Sequence, residues 1–115
     1  MAVESRDKKY MFNSEEIIRR SALEKISKIF NVPVDLLKNG DRFGSELMAK
    51  SVSDFKCNEF DIIDHDIHDV ADRKVSKEMS DGFLVIRTVE DYCNHMIRCY
   101  ETKPHDVKRV LGIIN

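Results

Sequence analysis

The sequence predicts an all-α fold: a small bundle of four helices, with an extended loop between helices one and two and an extra helix at the C-terminus. Apolar residues recur at three- and four-residue spacing in several separate stretches. Where two of those stretches begin, Asn13 and Thr88 each stand three residues before an acid, Glu16 and Asp91, the spacing of a capping box. Strict alternation over the length of a strand is missing; the one short apolar run is Phe83, Leu84, Val85 and Ile86.

The first helix starts at Asn13 or Ser14 and runs to about Phe30. Ile18, Ala22, Ile26 and Ile29, joined by Leu23 and Phe30, form its buried stripe, while Arg19, Arg20, Lys25 and Lys28 face water. Asn31 and Pro33 end it, because the proline pushes Val32 out of helical geometry. One further turn fits residues 34–38 before Asn39 and Gly40. The connection over 40–58 is long and loop-like, with Phe43 and Leu47 as core anchors, and loops of that length carry function or disorder.

The second helix spans residues 59–72. Phe60, Ile63, Ile67, Val70 and Ala71 share one face, and Asp61, His65, Asp69 and Asp72 project from the other. Ile62 falls among the acids; an isoleucine ringed by charge suits a partner contact, and a stray surface apolar residue is the plainer account of it. Residues 77–82 add a short turn, and 83–86 read as a buried connector. Thr88 caps a third long helix with Val89, Tyr92, Met96, Ile97 and Tyr100 inward. Past Pro104, the last amphipathic piece carries Val107, Val110, Leu111 and Ile114 inward, with Lys108 and Arg109 outward. The chain thus divides into a flexible segment over 1–12, a helical domain over 13–101 and a helical extension over 102–115.

With 115 residues, 42% hydrophobic and 35% charged, the chain is expected to be one soluble domain with a single modest core, which disfavours a self-contained enzyme. The acids crowded between Asp54 and Asp72 repel nucleic acid. The first ten residues are too polar for a secretory signal, Glu4 and Asp7 speak against a transit peptide, and no apolar run approaches a membrane span. The expectation is a soluble intracellular protein, mitochondrial or cytoplasmic, that does not insert into membranes.

Cys57, Cys93 and Cys99 lack CxxC spacing and are odd in number, so reduced thiols are expected rather than a zinc knuckle or a disulfide framework. Cys93 and His95 point apart on a helix and make no nucleophile and base. Two stripes on the acidic helix, Asp61 with His65 and Asp69, and Asp64 with His68 and Asp72, could each offer a carboxylate, an imidazole and a second carboxylate to a metal. A metal-dependent phosphohydrolase would draw ligands from several helices of a larger bundle, so a solvated acidic face is preferred, with no metal and no catalytic residue assigned.

Over residues 15–101 the order of parts resembles that of acyl carrier proteins. The helix ending Ile29, Phe30, Asn31, Val32, the turn Val34, Asp35, Leu36, Leu37 followed by Asp41, Arg42, Phe43, the acidic helix, and the entry Ile86, Arg87, Thr88, Val89 with Asp91 and Tyr92 are similar to that family's landmarks. The family's function needs an Asp-Ser-Leu motif whose serine carries 4'-phosphopantetheine, and this chain has no such tripeptide. Counting back from Ile86 sets Asn58, Glu59 and Phe60 there; a carboxylate at Glu59 cannot make the phosphodiester. Counting forward from Phe43 sets Ser51 there, with Lys50 in place of the aspartate, at the cost of the strongest helix.

The preferred alignment implies an acyl-carrier-like domain without the arm and without a cofactor, acting as a protein-interaction or accessory subunit of a larger assembly, mitochondrial or cytoplasmic. Glu59, Asp61, Ile62, His65, Asp69 and Asp72 would then meet a partner with a basic surface, for which the resemblance suggests a small helical protein of the Leu-Tyr-Arg class. The alternative is an active carrier in fatty-acid synthesis, with 4'-phosphopantetheine on Ser51.

Overall fold

The computed structural model describes residues 2–47 and 59–113, and the side chains of residues 14–47 and 59–113. Among these the chain is all-helical: α1 (Ala2–Phe30), a 3-10 turn (Val34–Leu36), α2 (Glu59–Val70), α3 (Arg73–Ser80), α4 (Val89–Tyr100) and α5 (Pro104–Leu111).

α1 presents Ile18, Ala22, Ile26 and Phe30 to the core, each four residues from the last and none more than 5% exposed. Its backbone is helical from Ala2, where a flexible segment and a cap at Asn13 or Ser14 are expected. Residues 2–12 contain no glycine or proline, so nothing in them breaks the helix, and Asn13 sits within it as a tolerated weak helix former. At the other end Asn31 takes φ 57° and the Val32 amide donates to the Ser27 carbonyl at 3.0 Å, which closes α1 in a Schellman motif.

α4 is the hub, because Val89, Tyr92, Cys93, Met96 and Cys99 are all buried and α1, α2 and α5 pack around it. Thr88 and Asp91 form the expected reciprocal capping box. The loop before α2 is stitched to this entry: the Phe43 amide donates to the Arg87 carbonyl at 2.9 Å, and the Val89 and Glu90 amides donate to the carbonyls of Asp41 and Asn39 at 2.9 and 3.0 Å. Phe43 stacks on Phe30 with ring centroids 5.8 Å apart, and Leu47 is buried, so both anchors do what their placement predicts. α5 buries Val107, Val110 and Leu111, and stops at Gly112, whose φ of 73° suits a residue without a Cβ.

Three further elements differ from expectation. α2 stops at Val70, and Asp72 is extended, outside the acidic helix; its carboxylate accepts from the Val75 amide at 2.8 Å and caps α3. α3 itself stands where only a short turn over 77–82 is expected. The run at 83–86 is not a buried connector, since Phe83 and Val85 are 84% and 49% exposed while Leu84 and Ile86 are half-buried. Exposure alternates along this irregular stretch, and only Leu84 and Ile86 pack against the core.

Candidate functional site

α2 carries Glu59, Asp61, Asp64, Asp66 and Asp69 and no lysine or arginine. Acids in its first turn meet the positive helix end, and at the far end Lys103 reaches the Asp69 and Ala71 carbonyls at 3.4 and 3.5 Å. Asp61, Ile62, His65 and Asp69 are exposed, Ile62 at 36%, and Glu59 is half-exposed as the first residue of the helix. Of the six residues expected to meet a partner, five thus lie on α2. Asp72 is the exception: its two oxygens accept from the Val75 amide and, at 2.8 Å, from the Thr102 hydroxyl, and these bonds hold its carboxyl below the usual range.

The inward side of α2 holds a group that periodicity alone misses. Asp66 is 7% exposed and accepts from the Tyr92 hydroxyl at 2.9 Å. Lys25, expected in water, instead turns inward, with its ammonium 3.6 Å from the same carboxylate oxygen and donating to the Val110 carbonyl at 2.8 Å. Burial raises the Asp66 pKa, while Tyr92 and Lys25 pull it back, and burial beside the carboxylate raises the Tyr92 hydroxyl well above its ordinary value. The polar trio ties α1, α2 and α4 together. A tyrosine whose hydroxyl must find a partner and an acid three residues from Ile63 and four from Val70 were the available signals.

His95, 3% exposed, links α4 to α2: Nε2 donates to the Ile67 carbonyl at 2.9 Å, and Nδ1 has no hydrogen-bond partner among the described residues. That bond fixes the tautomer, and burial lowers the pKa of the ring. Cys93 donates instead toward the Arg19 carbonyl, at 3.9 Å, so Cys93 and His95 serve different neighbours. Burial pushes both the Cys93 and Cys99 thiols up to about 11, which keeps them protonated near neutral pH.

Beside α2 the surface is hollowed. One depression of about 230 Å³ is floored by Phe43, Phe60, Ile63, Ile67 and Ile86, and a second of about 340 Å³ continues it past Ile67 and Ile86 to Met79, Leu84 and Val85. Asp64 edges both, and His68, whose Nδ1 lies 2.9 Å from the Asp64 carbonyl, edges the second.

Among the described residues, no three His, Cys, Asp or Glu side chains are placed to hold a metal, and no helix is long and apolar enough to cross a membrane. Ser51, Cys57 and Asn58 lie outside the described residues. Comparisons with protein-family models, curated proteins and solved structures return no match.

Proposed function

We propose that this chain is an acyl-carrier-like domain that lacks the phosphopantetheine arm and works as a protein-interaction or accessory subunit, docking through the outward face of α2 on a partner with a basic surface. The observation that carries this reading is the acidity of that face: Asp61, Asp64 and Asp69 stand on a helix with no lysine or arginine, with Ile62 exposed among them. Such a face attracts and orients a basic partner, and its apolar residue adds contact once water is excluded. The order of parts that resembles acyl carrier proteins supports the same reading, and Glu59 in the serine's place removes the arm. A small helical protein of the Leu-Tyr-Arg class within a mitochondrial assembly is the partner the resemblance suggests.

The test is the double charge reversal Asp61→Lys with Asp69→Lys. With the partner that co-purifies from the native source, affinity is expected to fall at least about tenfold with helix content unchanged; binding as tight as that of the wild type would sink the docking-helix reading. A second reading is an active carrier armed at Ser51 for fatty-acid synthesis, in which the open depression floored by Phe43, Phe60 and Ile63 would lie against the acyl chain. The two readings differ by one covalent bond, visible in the protein's mass.

A further inference from the structure

The connector between α3 and α4 begins with a helix ending that does not use its apolar residue. Gly82 takes φ 84°, its amide donates to the Met79 carbonyl at 3.2 Å, and the Phe83 amide donates to the Glu78 carbonyl at 2.9 Å. This is the Schellman closure, in which the residue at Phe83's position commonly folds back on an apolar residue of the last helical turn. The two positions where that contact would land hold Glu78 and Lys77, both polar, and the Phe83 ring is left 84% exposed on a backbone held by hydrogen bonds. Val85, 49% exposed, stands two residues on and lines the neighbouring hollow.

Next to this ridge lies the depression of about 340 Å³, floored by Ile67, Met79, Leu84 and Ile86 and edged by Asp64 and His68. An exposed aromatic next in sequence to a hollow that mixes aliphatic walls with polar groups is the pattern of an interface anchor. From α2 this edge takes Asp64 and His68, with Asp61 one turn earlier and no lysine or arginine on the helix. We infer that Phe83, Val85 and this hollow form the apolar half of a docking site for an amphipathic helix of a partner protein, whose apolar stripe covers the hollow and whose lysines or arginines meet Asp61 and Asp64. The inference rests on the docking reading of α2 and adds to it the anchor and the partner's chemistry. An apolar stripe flanked by basic residues complements exposed Phe83 and Val85 and the hollow's aliphatic side chains flanked by acids.

The experiment uses the full chain and a fluorescein-labelled amidated peptide of leucine and lysine at amphipathic helical spacing, with a glutamate-for-lysine peptide as control. Fluorescence anisotropy gives the affinity and amide NMR shifts map the site. The lysine peptide is expected to bind, to shift residues 64–68 and 79–86, and to lose about tenfold or more in affinity in Phe83→Ser; the control peptide does not bind. Because Phe83 is exposed, that variant keeps the wild-type fold, checked by its helix content. Undiminished binding by Phe83→Ser, or shifts confined to Ile62, His65 and Asp69, overturns the anchor while leaving the α2 reading in place. Undiminished binding by Asp61→Lys with Asp64→Lys overturns both. If the peptide-free wild type sediments as a dimer and Phe83→Ser as a monomer, a second copy occupies the site and the inference is wrong.

Discussion

Removing one oxygen from the core is expected to cost this domain a large part of its stability. In Tyr92→Phe the ring keeps its place, but Asp66 Oδ2 loses the hydroxyl that donates to it at 2.9 Å. A hydrogen bond to a charged group contributes about 1.5–3 kcal/mol net. Lys25 remains 3.6 Å away, close enough for charge but longer than a hydrogen bond, so the oxygen is left only partly compensated. Protonation of Asp66, made easier once the tyrosine's bond is gone, limits the loss. A destabilisation of about 2 kcal/mol near pH 7 follows, or a melting temperature lower by about 8 °C. Urea unfolding followed by circular dichroism measures it. The difference from wild type should shrink in acid, where a protonated Asp66 is a weaker acceptor. A loss under about 0.5 kcal/mol would show that the hydroxyl does not support the carboxylate and refute the buried trio as a stabilising unit.

His95→Gln should flatten the pH dependence of stability below neutrality. The unfolded ring binds its proton near 6.5, and burial lowers that value in the fold, so in the window below 6.5 the unfolded state holds more protons. Stability due to His95 is therefore full above that window and falls as pH falls through it; an unchanged slope in the variant would assign the effect elsewhere. Asp66 works in the opposite sense, since its raised pKa gives stability that is present at low pH and lost as pH rises through the folded value. Thr88→Ala removes the hydroxyl that accepts from the Asp91 amide at 3.1 Å, and about 1 kcal/mol should be lost in thermal or urea unfolding.

Residues whose role is set by their own helix were legible in the sequence. The four-residue spacing of Ile18, Ala22, Ile26 and Phe30, the capping box at Thr88 and the end of α1 at Asn31 all depend on neighbours within a few positions. What depends on partners far along the chain was not. Lys25 looks like a surface lysine until α2 and α5 bring Asp66 and the Val110 carbonyl to it. Asp72 continues the spacing of the acids before it, yet its carboxylate gains more as the cap of a new helix and as acceptor for Thr102 than as the end of the old one. Phe83 misled because burial is the rule for a phenylalanine within an apolar run, and only the closure of α3 decides which side it faces. On α2 the exposed acids were readable as a face, whereas the hollow beside them needs α3 and the connector in position.

An intact mass of the protein purified from its native source, followed by peptide mapping of residues 43–73, decides whether this domain works through contacts alone. The docking account predicts the mass of the unmodified chain. A phosphopantetheine-sized adduct on Ser51, with or without an acyl chain, would contradict it and make the protein an active carrier.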